Sequence, residues 1–371
     1  MRILHINTNY LLTALHQTMI EHLEKTGCQS VVFADTYNKT HSAIIPNDNV
    51  IVSECFRKND RWLFDYKQSK IIRALEASCN VSDFDVSHAY TLFTDGNAAY
   101  QMHKKYGVPF VVAVRNTDIN TFFKYRLNLR KRGREILSAA SRIFFLSEAY
   151  RTRLLEKYIP KNMKEELFAK SEIIPNGIDD FWFENLYGEK DVLAATERLA
   201  KKQLKIVYAG GIDNNKNVTA TCAAADILHK QGWEVDFTVV GKIIDNTVFE
   251  KIGQRVNYLE ARPKEQLIDV YRDNDIFVMP SLHETFGLVY AEAMTQGLPV
   301  IYTQGEGFDR QFEDGKVGYS VNPKSPEDIA DKILKIAGNY ESISNNCLGL
   351  CNKFRWDDIV TKYNTLYKEL L

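Results

Sequence analysis

Short runs of β-branched and other apolar residues alternate along the chain with longer stretches whose apolar residues recur at helical spacing. This alternation predicts parallel sheets whose strands are joined by crossover helices. Strands are predicted at residues 2–6, 30–34, 50–53, 85–89, 109–115, 142–146 and 172–175, and in a second series at residues 205–209, 235–240, 255–259, 276–280, 299–303 and 318–321. The longer helices are predicted at residues 13–25, 96–106 and 122–140.

A polar segment at residues 179–189 separates the two series and is interpreted as a linker. We therefore expect two doubly wound α/β domains, at residues 1–180 and 187–350. The length of 371 residues fits this division, because a domain typically has about 150 residues. Open parallel sheets bind ligands beyond the carboxyl ends of their strands, so a cleft between the two domains is the expected site.

Composition excludes several classes of function. The chain has 47 Lys and Arg against 48 Asp and Glu, which gives no overall attraction to nucleic acid. No run approaches the roughly 18 apolar residues that a membrane-spanning helix needs. Six cysteines in 371 residues are too few for a disulfide framework. These features favour a cytoplasmic protein.

One strand-to-helix segment, residues 280–294, carries the most chemical information. Glu284 precedes the turn, Phe286-Gly287-Leu288 stands at the predicted helix start, and Glu292 follows two turns later. The free backbone amides of a helix N-terminus favour an anion such as a diphosphate. The structural alternative makes Glu284 a helix-start charge and Glu292 a solvated helix residue.

The stretch from Glu284 to Pro299 resembles the Glu-x7-Glu signature of the retaining glycosyltransferases of family 4, the glycosyl transferases group 1. Members of this family have the GT-B fold of two Rossmann-like domains, and the resemblance implies that residues 1–180 form the acceptor domain and residues 187–350 the nucleotide-sugar donor domain. Three further segments resemble other parts of the family pattern: 174–179, 275–281 and 313–319. Residues 354–371 resemble its closing helix, which implies a helix that crosses back onto the first domain.

The resemblance implies a role for each residue of the signature. Glu284 would lie beside the donor sugar at the reaction centre, and Glu292 would hold the ribose hydroxyls. The amides of Phe286, Gly287 and Leu288 would face the donor diphosphate or the sugar.

Residues 208–216 resemble the family's loop after the first strand of the second domain. Gly210 and Gly211 are therefore expected in the donor site, and Lys216 stands where the family has a diphosphate-binding lysine. A cation there stabilises the charge that grows on the leaving diphosphate. The alternative for Lys216 is an exposed lysine at a helix start. The family usually has arginine at the position of Gly211, so either another cation replaces it or donor binding is weaker or different.

Arg115 aligns with a position near the family's reaction centre that is histidine in many members and arginine in others. An arginine can assist a diphosphate as a cation, but it cannot act as a base at neutral pH. The alternative is an arginine at a strand end, paired with Asp118.

Residues 124–134 contain six cations in eleven positions. This segment is either a solvated helix face or a weak peripheral contact with the cytoplasmic face of a membrane. The Asp-x-Asp pairs at 83–85 and 273–275 precede strands, so they are interpreted as turn residues and no bound metal is expected.

Together with these observations, the resemblance implies a metal-independent hexosyltransferase that moves a sugar, with retention, from a UDP- or GDP-linked donor to an acceptor hydroxyl. The expected acceptor is a saccharide or lipid-linked saccharide, and the expected process is bacterial surface polysaccharide assembly. The nucleotide sugar is a co-substrate, and no cofactor is expected. The alternatives are a sugar-nucleotide epimerase of the same fold and a non-catalytic, nucleotide-sugar-binding partner subunit.

Overall fold

The computed structural model of the chain describes residues 1–38, 42, 46–187 and 189–371; for residues 189–191 it describes only the backbone. All predicted strands are present, with ends that differ by a few residues. They are β1 Arg2–Ile6, β2 Gln29–Thr36, β3 Val50–Glu54, β4 Val86–Ala89, β5 Phe110–Val114, β6 Arg142–Phe145, β7 Ser171–Ile173, β8 Gln203–Ala209, β9 Glu234–Val240, β10 Asn257–Leu259, β11 Ile276–Val278, β12 Val300–Thr303 and β13 Gly318–Val321.

Helices fill the connections between these strands. They are α1 Leu15–Lys25, α2 Phe64–Ser78, α3 Thr94–Tyr106, α4 Arg130–Ala139, α5 Glu148–Tyr158, α6 Lys161–Ala169, α7 Asp180–Glu184, α8 Glu189–Ala200, α9 Val218–Lys230, α10 Asn246–Ile252, α11 Lys264–Arg272, α12 Leu288–Thr295, α13 Pro326–Ala337, α14 Tyr340–Leu350 and α15 Trp356–Lys368. Within the described ranges, none of these helices is long and apolar enough to cross a bilayer.

The strands form two parallel sheets. Over the described residues, one sheet has seven strands in the order β3-β2-β1-β4-β5-β6-β7, and the other has six in the order β10-β9-β8-β11-β12-β13. In each sheet the strand order reverses next to the first strand, β1 or β8. This is the doubly wound arrangement predicted from the alternating pattern, and its strand-end crevice is the usual ligand site.

The chain divides into two compact units. The first comprises residues 1–146, 150–175 and 356–371, and the second comprises residues 147–149 and 176–355. The boundary after residue 175 lies a few positions before the expected boundary at 180. Residues 356–371, which contain α15, belong to the first unit and pack against α1, where His22 Nδ1 lies 2.7 Å from an oxygen of Asp357.

Alternation along β1 shows how both faces of the first sheet are covered. Leu4 and Ile6 belong to one apolar cluster, whereas Ile3 belongs to a second cluster that includes Trp356 and Tyr363 of α15. Successive strand residues point to opposite faces, so a continuous apolar run fits a sheet buried on both sides.

The single helix predicted at residues 122–140 is wrong. A π-helical turn ends at Phe123, a 3₁₀ turn follows at residues 127–129, and α4 begins only at Arg130. Packing explains the break, because Phe122 stacks on Phe93 with ring centroids 4.6 Å apart. Arg130 Nε then donates 2.7 Å to the carbonyl of Phe123, which caps the earlier turn.

The polar segment predicted as a linker at residues 179–189 also contains structure. Its residues 180–184 form the short helix α7, whose Trp182 and Phe183 are buried. Asp179 caps this helix by accepting from the N–H of Phe181 at 2.9 Å. Burial of these two aromatic rings stabilises the helix although most residues around them are polar. Residue 188, within the same segment, lies outside the described residues.

Candidate active site

The loop after β8 carries the first cation of the candidate site. Lys216 stands two residues before α9 begins, and its N–H donates 2.8 Å to Asp213 Oδ1 within the loop. Its side chain reaches the loop after β11, where Nζ lies 2.6 Å from Glu284 Oε2. Lys216 retains 25% of its side-chain exposure and Glu284 retains 12%. The structure therefore brings together two residues that are 68 positions apart, with part of each accessible to a ligand.

Backbone contacts fix these two loops to each other. The N–H of Leu282 donates 2.7 Å to the carbonyl of Asn215. The side-chain amide of Asn215 donates 3.0 Å to the carbonyl of His283 and accepts from the N–H of His283 at 3.1 Å. These two hydrogen bonds between the Asn215 side chain and the His283 backbone fix the two loops to each other, so the Lys216–Glu284 ion pair is held in one arrangement before a ligand binds.

Glu284 is also held from a third loop, the one after β12. Its N–H donates 3.0 Å to Glu306 Oε2, and its carbonyl accepts from the N–H of Gly307 at 2.9 Å. A Cβ at Gly307 would overlap the carbonyl of Thr285, so this close approach requires glycine. Sequence reasoning missed Glu306 as a site residue, although a Gly-Glu-Gly run directly after a predicted strand was a visible signal.

The start of α12 follows four residues after Glu284 in the chain. Gly287 precedes the helix with φ +79°, and a Cβ there would meet the ring of Tyr290. Phe286 is buried beside Phe354, with ring centroids 5.7 Å apart, so its ring is structural and only its backbone can serve a ligand. Leu288 is the first residue of α12, where helical N–H groups have no partner within the helix. This terminus and the Lys216 ammonium both favour an anion.

Glu292 lies in the second turn of α12 and is largely buried. Burial raises its pKa to about 7; the carboxylate of Asp179 adds to this effect, and the ammonium of Lys264 opposes it. Asp179 and Lys264 themselves form an ion pair of 2.5 Å. A carboxyl group whose pKa is raised by burial is a candidate for a functional position.

At the two glycines that follow β8, Gly210 and Gly211, neighbouring side chains leave little space for an added Cβ. Gly210 has φ +156°, and Tyr208 donates its hydroxyl to the carbonyl of Gly211 at 2.6 Å. A Cβ at Gly211 would lie 2.5 Å from Cδ1 of Ile244, whose side chain is otherwise exposed. A longer residue at position 211 therefore requires Ile244 to move.

Arg115 belongs to the first unit, directly after β5. Its Nε donates 3.1 Å to the carbonyl of Tyr90, and its N–H donates 2.8 Å to Asp118 Oδ2. Asp118 also accepts from the N–H groups of Leu92 and Phe93, and burial raises its pKa to about 6. The contact between Arg115 and Asp118 is thus made by the arginine's backbone.

Neither Asp-x-Asp pair forms a metal-type cluster. Asp275 is buried and accepts 2.5 Å from Arg198 and 2.8 Å from the N–H of Lys205, while Asp85 accepts from the N–H of Arg2. In the part of the chain that the structure describes, no group of three His, Cys, Asp or Glu side chains could hold a metal ion.

Comparison with known proteins shows the family to which the chain belongs. Residues 189–346 match the family described as glycosyl transferases group 1, and residues 17–180 match glycosyltransferase family 4. An uncharacterized glycosyltransferase of Methanocaldococcus jannaschii is 24% identical over 81% of both chains. The capsular polysaccharide biosynthesis glycosyltransferase CapM of Staphylococcus aureus is 26% identical over 62% of this chain and 63% of its own.

Solved structures agree on the fold. The Anabaena protein HepE, crystallised with UDP-glucose, superimposes with a TM-score of 0.68 at 18% identity, over 100% of both chains. Two parallel doubly wound sheets, the two family matches and this similarity identify the chain as a GT-B glycosyltransferase of group 1.

Proposed function

We propose that this glycosyltransferase moves a hexose from a UDP- or GDP-linked donor to an acceptor hydroxyl with retention at the anomeric carbon, and that it needs no metal. The observation that carries the proposal is the Lys216–Glu284 ion pair of 2.6 Å beside the start of α12. It supplies a cation for a diphosphate and a carboxylate for a sugar within one fixed cluster. The UDP-glucose bound to HepE, a protein of similar fold, supports a nucleotide-sugar donor.

Each residue of the cluster has a proposed task. Lys216 and the backbone N–H groups at residues 286–288 hold the diphosphate and stabilise the negative charge that grows there as the sugar leaves. Glu284 orients the sugar and supports the positive charge that develops on it, without forming a covalent bond. Glu292 accepts hydrogen bonds from the ribose hydroxyls.

The remaining proposed residues complete the donor site and the reaction. Gly210 and Gly211 let the donor approach the backbone closely when the exposed Ile244 side chain moves away from Gly211. Arg115 is a second cation for the reaction, and the departing diphosphate takes the acceptor proton. Attack then occurs on the face that the diphosphate leaves, which retains the anomeric configuration.

We also propose a cytoplasmic location and a role in bacterial surface polysaccharide assembly. CapM, a capsular polysaccharide biosynthesis glycosyltransferase, supports the process, and six free thiols fit a reducing compartment. A weak membrane contact through residues 124–134 is part of this proposal. Tyr125 and Leu127 are exposed there, although Arg130, Arg132 and Arg134 donate to groups of the same chain.

The test is a transfer assay with UDP- and GDP-sugars, a panel of saccharide acceptors, and EDTA in a parallel series. The anomeric configuration of the product is read by NMR. A product of the donor's configuration, formed equally with EDTA, is the expected result. Inversion would contradict retention, an isomerised free sugar nucleotide would indicate an epimerase, and nucleotide binding without turnover would indicate a partner subunit.

A further inference from the structure

His283 is a candidate ligand-binding residue to which the proposed function gives no task. It directly precedes Glu284, and its side chain is 66% exposed. Its N–H and its carbonyl are both hydrogen-bonded to the side-chain amide of Asn215, the neighbour of Lys216. The backbone of His283 is therefore fixed beside the Lys216–Glu284 pair, while its imidazole remains accessible to a ligand.

A buried carboxylate faces this imidazole. Glu306 retains only 7% of its side-chain exposure, and its Oε1 lies 3.7 Å from His283 Nδ1. Its other oxygen, Oε2, accepts from the N–H of Glu284 at 3.0 Å, which fixes the orientation of the carboxylate. A carboxylate at this distance forms an ion pair with a histidine once the ring is protonated, so Glu306 favours the charged imidazolium.

The charges of the described side chains around this imidazole are mostly negative. Lys216 is paired with Glu284, and Glu306 adds a second carboxylate. Asp213, in the same loop as Lys216, adds a third. Each phosphate of a nucleotide sugar brings a further negative charge, and Gly211 has no side chain to meet it. A proton on the imidazole offsets part of this charge and so favours binding of the diphosphate.

Three other charged or titratable groups belong to the same loops or to α12. Asp309 accepts from the N–H of Gly305 at 2.7 Å; burial raises its pKa, and the guanidinium of Arg310 opposes this effect. Glu292, whose burial raises its pKa to about 7, titrates in the range where histidine ordinarily does. The titration of these groups is common to the wild type and to a variant at His283, so the difference between the two proteins reports the imidazole.

We infer that His283 binds the donor diphosphate as an imidazolium and takes up its proton as the donor binds. The proton comes from the solvent and returns to it when the nucleotide dissociates. Glu306 is a positioning residue that acts through His283, and the imidazolium supplies a cation that Gly211 does not. This inference rests on the proposed function, because it assigns a further residue to the donor site.

Calorimetric titration with UDP-glucose and with GDP-mannose at pH 6 and pH 8 tests the inference. Both phosphates of these probes are fully ionised at both pH values, so the ligand itself does not titrate. The proteins are the wild type, His283→Gln and the matched control His229→Gln, since His229 is an exposed histidine of α9 in the same unit. Repeating each titration in a buffer of different ionisation enthalpy gives the number of protons taken up.

At pH 6 we expect one of the two probes to bind the wild type about tenfold more tightly than His283→Gln, the scale of one charge-assisted hydrogen bond. At pH 8, where histidine is ordinarily neutral, the difference should fall to about twofold or less. Binding to the wild type should also take up more of a proton than binding to His283→Gln, and His229→Gln should match the wild type. A difference of the same size at both pH values, or none at either, would overturn the inference.

The NMR signal of the imidazole Cε1–H reads the charge of His283 directly, and its absence from the spectrum of His283→Gln assigns it. A saturating donor should move the titration of this signal to higher pH. Glu306→Gln should move it to lower pH in the ligand-free chain, because the imidazolium loses the carboxylate that faces it. An unchanged titration in Glu306→Gln would overturn the positioning role of Glu306.

The two proposals fail in distinguishable ways. If neither nucleotide sugar binds at either pH, the proposed function fails and this inference fails with it. If a nucleotide sugar binds and the titration of the His283 signal does not move, only the inference is overturned.

Discussion

The two units differ in the burial of the polar side chains on and beside their strands. In the second unit, the side chains of Lys216 and Glu284 form an ion pair, and part of the surface of each is accessible. In the first unit, His5 and His88 are buried, and burial lowers the pKa of both, that of His5 to about 3. Their contacts are internal, with the Tyr367 hydroxyl 2.7 Å from His88 Nδ1.

This difference separates polar groups that serve a ligand from polar groups that serve the fold. An ion pair whose side chains remain partly accessible can present its cation to an incoming anion. A buried, neutral histidine has exchanged water for a protein partner and holds neighbouring elements together. The buried histidines of the first unit therefore serve its packing, whereas the Lys216–Glu284 pair of the second unit presents charge to a ligand near the start of α12.

Removing the carboxylate of the second unit's pair is expected to have the largest effect. Glu284→Ala should lower transfer by about 1,000-fold or more, because it deletes the group that orients the sugar and leaves Lys216 without this partner. Initial rates at saturating donor would show it. Glu260→Gln, at an exposed position of the same unit, should retain full activity. Substantial turnover by Glu284→Ala would remove the basis of the proposed mechanism.

Removing the cation should cost less, because backbone amides still hold the diphosphate. Lys216→Ala is expected to lower kcat by about 100-fold, the scale of one preorganised contact with the transition state. Lys230→Ala, at an exposed lysine at the end of α9, is the control. Equal rates for Lys216→Ala and its control would limit Lys216 to a structural partner of Glu284.

Alanine substitutions at two glycines test whether side-chain packing constrains the start of α12. Gly287 and Gly107 have nearly equal positive φ, +79° and +77°, but only at Gly107 is there nothing within 4 Å of an added Cβ. Gly107→Ala should lower the free energy of unfolding by about 1–2 kcal/mol, the cost of the left-handed backbone. Gly287→Ala should lower it by about 3 kcal/mol or more, because the added methyl also meets Tyr290. Urea unfolding measures both, and equal losses would show that the Tyr290 contact costs nothing.

Because burial raises the pKa of Glu292, we expect the free energy of unfolding to depend on pH. Its pKa of about 7 in the folded chain exceeds the ordinary value of 4.5, so the folded state binds more protons between these values. Stability contributed by this group is therefore lost as pH rises from about 4.5 to 7. Glu292→Gln should raise the free energy of unfolding at pH 8 by about 1–3 kcal/mol and leave it unchanged at pH 4.

The same substitution should weaken nucleotide binding at pH 8 by about tenfold, because the amide replaces a charged acceptor for the ribose hydroxyls. Unfolding midpoints and nucleotide titrations at both pH values give the two readings. A gain in stability at pH 4 equal to that at pH 8 would contradict the assigned titration.

The sequence predicted the sheets well because buried strands in a parallel sheet are nearly continuous apolar runs. Residues 2–6 and 318–321 have the same bounds in prediction and structure. It failed at residues 122–140, where Phe122 packs on a ring 29 positions earlier in the chain, and at residues 180–184, where two aromatic residues are buried inside a polar segment. Contacts between distant residues decide such breaks, and no local pattern reports them.

Some residues of the candidate site can likewise be predicted from local sequence, and others cannot. Glu284, Glu292 and Lys216 are predicted from the sequence because they stand at motif positions in two strand-to-helix segments, and their roles stay predictions. Glu306 and Asn215 were missed, since they act by holding backbone groups of the His283–Glu284 segment. The close approach of Ile244 to Gly211 depends on a loop 33 positions away, so the glycine could be noted but not explained.

The most direct test of the account is thermal unfolding of the wild-type chain and of Lys216→Ala with UDP and with GDP, each with and without EDTA. A ligand that binds only the folded state raises the midpoint once its concentration exceeds Kd. The account predicts that one nucleotide raises the midpoint of the wild type regardless of EDTA, and that Lys216→Ala loses most of this rise. No rise with either nucleotide, or an undiminished rise in Lys216→Ala, would contradict a donor site built on the Lys216–Glu284 pair.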